Sequence, residues 1–583
     1  MAIKVVLDKI IEMKKILVIS LLSFLFGCQN YKSDAQSNND SIQTKNSISQ
    51  VLKENGHLTI NERIELYKEL KDKKPKAYNF ENKDEITMYG YALLWKNNPK
   101  EALEVFKLIV EQFPDWHNAY DSLGEAYFNL GEMDLALENY EKSLAMNPDN
   151  FNAEDMIERI RFPDRKPITP AEKFVKVYPV EDYKADLDEL ANKLLEVHPN
   201  ALKFISKEDF WKTVDEKKLS INQNTTYAEF SWHCREIISN INCSHTSSNF
   251  TMDWDPLPIP LLFPLDVRWI NDRLYVIDAC TNAEKVSIKD EITKINGLPV
   301  KDIVADIYKH IPSQGHIETY KRHQFNYWAT GMIPYALNFP KTYTIQIEGQ
   351  QESITLNPLD AYPSFKEPFT KPCSDNLCLD FKDAETAVLT ISSFNYYPWN
   401  NLDEFEDFID ESFKKINKRN ISNVIIDLRF NGGGSPESSI HLLKYLMDKP
   451  FQYFSSSHSY STGKGAHQPF ENNYKGKLYF LIDGNGNSTT GHFIALAKYH
   501  KLGIIIGEEL GSNQFCTAGQ TILRLKNTKF QYDVANSTSK VLVTGLDDSR
   551  GILPDYDVVQ PIEDYLNNHD SVKEFAFKLI NNQ

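Results

Sequence analysis

Two apolar runs that each end in a turn of small residues restrict this chain more than any other feature. The first, Val424-Ile425-Ile426-Asp427-Leu428, continues through Arg429-Phe430-Asn431 into Gly432-Gly433-Gly434-Ser435, and the second, Leu478-Tyr479-Phe480-Leu481-Ile482, leads into Asn487-Ser488-Thr489-Thr490-Gly491-His492. Each reads as a strand handing over to a helix. Glycines carry no Cβ, so their backbone N–H groups can approach a ligand as closely as an oxyanion hole requires. A serine at a helix start faces N–H groups and the positive end of the helix dipole. A glycine-rich turn alone more often serves chain reversal, and a lone serine there is most often an N-cap. Both together, on successive strand-to-helix junctions, point to a hydrolase site.

From Leu377 onward strands alternate with helices over Thr386–Ile391, Asn401–Lys418, Asn423–Leu428, Ser435–Met447, Lys477–Ile482, Thr489–His500 and Leu502–Ile506. That alternation implies crossover connections and a largely parallel sheet covered by helices. Active sites of such sheets lie at strand C-terminal ends, where Gly432 and Ser488 both fall.

These motifs resemble the serine peptidase family that includes the tail-specific (C-terminal processing) proteases, the tricorn protease core and the interphotoreceptor retinoid-binding protein modules. The resemblance runs from Pro179 to the C-terminus and implies a crotonase-like α/β core with Ser488 as nucleophile. Gly432, Gly433 and Thr489 would supply the oxyanion hole. A serine hydroxyl needs a base. One branch of the family carries a lysine after a strand ending in Gly-Glu; here that strand is Leu502–Glu508, and Glu509–Gln514 contains no lysine. The other branch uses a histidine, and Ile241-Asn242-Cys243-Ser244-His245-Thr246 fits its motif. The resemblance therefore implies His245 as general base, and the tricorn tetrad implies Ser244 as its orienting partner, although many relatives carry Asp-Gly before the histidine. Asp548, ahead of Gly551-Ile552-Leu553-Pro554-Asp555, stands where relatives place the third acid. A solvated turn is the alternative for Asp547 and Asp548. His492 shares a helix face with Ser488 and reads as a pocket or packing residue. Arg429, Arg524 and Arg550 either receive a substrate carboxylate or serve as structural charges.

The expected activity is that of a serine peptidase acting on a peptide or protein substrate. The alternatives are a non-catalytic peptide- or lipid-binding protein on the same fold, and a serine esterase. The chain has no His-Glu-x-x-His, no paired Cys-x-x-Cys and no Walker loop, so no metal or cofactor is expected; Thr462-Gly463-Lys464-Gly465 reads as an exposed loop. A formal net charge of -17 argues against nucleic acid as a partner.

Lys14-Lys15, the apolar stretch Ile16–Phe26 and Gly27-Cys28 form a charged region, a short apolar region and a small residue before cysteine. This resembles a bacterial lipoprotein signal over 1–28, with Cys28 the lipidated residue and Met13 a more conventional start than Met1. An uncleaved anchor predicts the same extracytoplasmic, membrane-tethered location. Residues 29–59 read as a disordered tether, polar and nearly free of apolar residues in Gln29–Ser49. Gly90 and Gly124, Ala102 and Ala136, Phe106 and Tyr140, and Pro114 and Pro148 each stand 34 residues apart. That period resembles tetratricopeptide repeats, placed at 60–162, with helices around Asn61–Lys73 and Phe151–Arg161 as caps. They serve either as a groove for a protein partner or as a spacer or dimer surface.

Helices Asp182–Glu196 and Tyr227–Ile241 are expected in a helical segment over 175–255, the latter delivering His245. Within 256–360, Leu261–Leu356 alternates like strands, and Asp290-Glu291-Ile292-Thr293-Lys294-Ile295-Asn296-Gly297 resembles the PDZ signature of this family with Lys289 in place of its usual glycine. A degenerate PDZ-like module is expected there, followed by the catalytic core over 375–583. The fold class is thus multidomain α+β. Of seven cysteines, Cys373 with Cys378 is the expected local disulfide.

Overall fold

The computed structural model describes residues 46–166, 168–248, 257–362, 375–454 and 465–582. The lipoprotein signal, Cys28, the loop residues 462–464 and Cys373 lie outside the described residues. Cys378 is disulfide-bonded, whereas Cys234, Cys243, Cys280 and Cys516 are free thiols.

The N-terminal region is helical. Antiparallel pairs Lys83–Trp95 with Pro99–Gln112 and His117–Leu130 with Met133–Met146 stack between Ile60–Lys73 and Phe151–Arg161. The 34-residue identities are contact positions: a Cβ on Gly90 would lie 2.5 Å from the Phe106 ring, and one on Gly124 3.2 Å from the Tyr140 ring. The expectation of a tether running to residue 59 is corrected. Asn46 bridges to Tyr78, and Ile48–Glu54 is a helix that buries Ile48 and Leu52. Its serines are not solvating. The Ser47 and Ser49 hydroxyls each donate to the buried Glu85 carboxylate at 2.6 Å, so polar composition here signals a buried network.

Helices Val180–Val197, Lys207–Ser220 and Tyr227–Ser239 share one core with a hairpin formed by Phe515–Arg524 and Gln531–Lys540, through Leu187, Phe230, Ile237, Tyr532 and Val534. No element is expected from sequence for this hairpin, which binds a late segment of the chain to an early one. The helical repeats dock on its tip, where Arg524 pairs with Glu154 and Asp155.

The next module is an antiparallel sheet of Asp266–Ile270, Arg273–Asp278, Glu291–Ile295, Thr344–Ile347 and Ile354–Thr355, neighbours in that order, with Leu298–Pro299 pairing to the third. Helices Val300–Tyr308 and Glu318–Ala336 complete it; the latter is called the module helix below. Lys289 adopts φ +78°, the left-handed backbone that glycine would take without strain.

The core sheet runs Tyr556–Asp557, Ile504–Gly507, Lys477–Ile482, Asn423–Asp427, Thr386–Ile391, Leu377–Phe381, every neighbour parallel except the last pair. Side chains alternate across it as strand geometry demands. Val424, Ile426, Leu478 and Phe480 face helices Leu402–Lys418, Pro436–Leu446 and Thr489–Tyr499, while Ile425, Tyr479 and Leu481 face the C-terminal helix Ser571–Asn581. No helix among the described residues is long and apolar enough to cross a membrane.

Arg429 pins the C-terminal helix to the strand end. Its buried guanidinium takes Asp427 at 2.6 Å and Asp570, which caps that helix, at 2.7 Å. Burial alone would raise the Asp570 carboxyl, but Arg429 outweighs it and holds it at about 2. Stability from Asp570 is therefore present above its ordinary value of 3.8 and is lost as pH falls towards 2. Asp570→Ala is expected to cost about 3–5 kcal/mol in urea unfolding at pH 7, because it strips one partner from a buried charge.

Candidate active site

Parallel pairing of Leu481 with Asp427 brings the two strand ends level, and the backbone bond from Leu428 to the Leu481 carbonyl carries that register one residue further. The glycine loop and the serine turn therefore emerge side by side. Ser488 occupies the N-cap position of helix Thr489–Tyr499 at φ +54° and ψ -120°, yet its side chain makes no capping bond. A left-handed backbone at a non-glycine residue costs on the order of 1–3 kcal/mol and persists where the surroundings enforce it. Here the hydroxyl stays free of the helix and projects from a sharp strand-to-helix turn, the geometry of a nucleophile elbow.

Two asparagines enforce that turn. The Asn487 side-chain oxygen accepts from the Ser488 N–H at 2.8 Å, while the Asn487 N–H donates to the Asn431 carbonyl at 3.2 Å. The fully buried Asn431 accepts through its side-chain oxygen from the Gly433 N–H at 3.0 Å and the Thr490 hydroxyl at 2.8 Å. Glycine at 433 is required twice over. Its φ is +98°, and a Cβ would lie 2.6 Å from the Asn487 carbonyl and 2.7 Å from the Ser488 Cβ.

The Gly433 N–H is thus committed to Asn431, so the expected oxyanion set is corrected at that residue. Among the described residues no protein acceptor engages the N–H groups of Gly432 or Thr489. Thr489 is the first residue of its helix, where N–H groups have no intrahelical partner.

His245 follows helix Tyr227–Ser239 in a tight turn and is buried, 5% exposed, against the hairpin. Gln520 holds its carbonyl at 3.1 Å, and Ala535 donates to the Thr246 hydroxyl at 3.0 Å. Burial pushes the imidazole down to about 4. Its Nδ1 lies 3.4 Å from the Ser244 hydroxyl oxygen, which itself donates to Asn487 at 3.0 Å. Cys516 was not foreseen. Its Sγ lies 3.7 Å from Nδ1 and 4.0 Å from Nε2 of His245, and the thiol hydrogen-bonds Ser488. Burial raises this thiol to about 12, so it stays protonated. Nothing in the residues flanking Cys516 marks it in the sequence as a site residue.

Asp548 stands elsewhere. Its carboxylate takes Gln514 at 2.5 Å, Lys203 at 3.0 Å and Lys540 at 3.2 Å, and among the described contacts none joins it to His245. Asp547 closes a local turn onto Ser549. His492 is buried edge-on to Phe454 and Tyr453, a packing position. Arg429, Arg524 and Arg550 are all taken by internal carboxylates, the last by Glu509 at 3.2 Å.

Among the described residues no hydrogen bond joins the Ser488 hydroxyl to His245, and Cys516 is a neighbour of both. A hydroxyl lifted clear of its own helix, next to the N–H groups of Gly432 and Thr489 and in one cluster with a neutral imidazole, equips this site for acyl transfer, and the class it defines is that of the serine hydrolases. Within that class the sequence comparison is specific. Residues 385–558, which hold both strand ends and Ser488 but not His245, match the profile described as Peptidase family S41, and residues 118–150 match Tetratricopeptide repeat. The chain therefore carries an S41 serine peptidase domain together with helical repeats of a kind that supports protein interaction. No curated protein matches it at the sequence level. Solved structures similar to it include mature CPAF complexed with lactacystin, at 15% identity and TM-score 0.48, covering 69% of this chain and 99% of that one. The photosystem II D1 C-terminal processing protease shares 14% identity at TM-score 0.32, covering 66% and 96%. The tricorn protease shares 14% at TM-score 0.32, covering 69% and 36%.

Gly433→Ala is expected to lower kcat by roughly a hundredfold or more, because the new methyl displaces the Ser488 turn and a misplacement near 1 Å has that effect. The comparison of wild-type and variant kcat, with circular dichroism to confirm folding, checks this.

Proposed function

We propose that this protein hydrolyses peptide bonds with Ser488 as nucleophile, His245 as general base and Ser244 as the residue that orients the base. One observation carries the reading: the direction of the hydrogen bonds around Asn487. Its side-chain oxygen accepts from both the Ser488 N–H and the Ser244 hydroxyl. Ser244 has then spent its proton, so its oxygen can only accept from His245 Nδ1–H across their 3.4 Å contact. A proton on Nδ1 leaves the lone pair on Nε2. That is the tautomer a general base needs, reached here through a hydroxyl and an amide in place of a carboxylate.

In the proposed reaction Ser488 Oγ attacks the substrate carbonyl carbon as its proton passes to His245 Nε2. The carbonyl oxygen becomes negative between the N–H groups of Gly432 and Thr489, where Thr489 adds the helix N-terminal dipole. His245 then protonates the leaving amine, and the peptide C–N bond breaks to leave an ester on Ser488. Water, deprotonated by Nε2, attacks that ester and restores the serine. The Cys516 sulfur is a neighbour of both Ser488 and the imidazole, so in the proposed reaction the serine hydroxyl turns from it towards Nε2.

We further propose that the peptidase works outside the cytoplasm, tethered by a lipid on Cys28, and that its helical repeats present substrates or a partner protein to the domain. The sequence Leu25-Phe26-Gly27-Cys28 after a charged and apolar leader supports this. Wild type grown with labelled palmitate is expected to take up the label and Cys28→Ala is not, and a wild type that stays unlabelled would contradict the lipid anchor.

Ser488→Ala and His245→Ala are each expected to lower kcat at least roughly ten-thousand-fold. Ser244→Ala, which frees the tautomer, is expected to cost about a hundredfold. Asp548→Asn should stay within about tenfold, since the carboxylate serves two lysines. Because only neutral His245 accepts a proton, the acid limb of kcat/KM should fall near pH 4, well below the ordinary 6.5. A limb near 6.5 would mean an exposed or carboxylate-paired base.

A further inference from the structure

The strongest feature outside the reacting groups is a buried charge cluster where the module helix meets the core. Glu508, at the end of strand Ile504–Gly507, accepts from Arg322 and from His323 Nε2 of the module helix. It also accepts the Gly484 N–H at 3.0 Å. Beside it Asp483, which ends the serine strand, accepts the Asn485 N–H at 3.1 Å and the Phe430 N–H at 3.1 Å. The first turn of the module helix lies directly on the serine loop, since a Cβ on Gly484 would fall 2.7 Å from Thr319. His323 also stands edge-on to the Phe430 ring, at 6.1 Å between centroids.

These contacts have one target. Gly484 and Asn485 open the loop that ends at Ser488, and Phe430, at φ +64°, opens the loop that presents Gly432. Glu508 and Asp483 therefore hold both halves of the site, and two cationic or proton-donating side chains from a separate module hold Glu508. A carboxylate this deeply buried must be paired or it will abandon its charge. Burial alone would raise Glu508, yet Arg322 and His323 hold it well below the usual carboxylate range. Without them Glu508 would protonate or turn to water, and the Gly484 anchor would go with it.

We propose that Arg322 and His323 are positioning residues for the reaction: seated in Glu508, they fix the loops carrying Ser488 and Gly432, so that the module helix is a structural part of the active site. This rests on Ser488 being the nucleophile, and the test separates the two ideas. The full chain is assayed as wild type, Arg322→Met, Arg322→Lys, His323→Gln and Glu508→Gln. Arg273→Met, an exposed site on the same module paired to Glu291, is the control. Each is read by kcat and KM on a peptide substrate, by the rate at which a fluorophosphonate probe adds to Ser488 in intact-mass spectra, and by thermal melting.

The expected result is a fall of at least tenfold in both kcat and labelling rate for Arg322→Met and Glu508→Gln, with KM within twofold and a cooperative melt. Arg322→Lys should recover part of the loss, and Arg273→Met should match wild type. A merely structural role would lower the melting temperature and leave kcat and labelling of the folded protein unchanged. That outcome in folded Arg322→Met, Glu508→Gln or the milder His323→Gln overturns the proposal. A wild type that the probe does not label overturns the nucleophile assignment and the proposal with it. A labelled wild type and an equally labelled Arg322→Met overturn the proposal alone.

Discussion

The whole site depends on the parallel pairing of strands Asn423–Asp427 and Lys477–Ile482. Parallel strands place like ends together, so the glycine loop and the serine turn leave the sheet at the same edge and on the same level. Every later requirement follows from that closeness. Asn431 can reach across to the Asn487 N–H and the Thr490 hydroxyl, and Gly433 must lack a side chain because Ser488 lies against it. A slip of one residue would exchange the side chains packed on the two faces and take these groups apart. Both faces are apolar and covered, so the register rests on the different partners each face meets, the helices on one side and the C-terminal helix on the other.

A second constraint brings in the base. His245 precedes Ser488 by more than two hundred residues, and the hairpin Phe515–Arg524 with Gln531–Lys540 closes that gap. Its outer half packs in the core of the helical segment, and its inner end supplies Cys516 and Gln520 against the histidine. Its tip carries Arg524, which seats the helical repeats. One hairpin thus ties three regions to the Ser488 turn proposed as catalytic. The burial it imposes keeps His245 neutral, and the absence of a carboxylate contact among the described residues fits an imidazole whose tautomer is set by hydroxyl and amide groups.

What the sequence disclosed was local. The proposed site residues Ser488, Gly432, Ser244 and His245 are each picked out by a few consecutive residues, as is the alternation of core elements, and most element boundaries, such as Thr386–Ile391 and Lys477–Ile482, stand where periodicity puts them. Long-range pairing was not legible. Asp548 occupies a promising position in a turn, but Lys203 from the distant turn between helices Val180–Val197 and Lys207–Ser220 and Lys540 from the hairpin claim its carboxylate. Gly433 looked equivalent to Gly432 until Asn431 took its N–H. Serines near residue 47 read as solvent-loving because composition does not show that Glu85 lies buried beneath them. Glu508 and Asp483 look like ordinary strand-end carboxylates, and only the docking of the module helix turns them into the support of the site.

The measurement that bears most directly on the account is exposure of a diverse peptide mixture to the purified chain lacking its leader, beside Ser488→Ala, with the products read by mass spectrometry. The account predicts new peptide termini with wild type and none with the variant. Equal silence from two folded proteins, with an ester substrate also untouched, would contradict it and leave a binding protein on a peptidase scaffold.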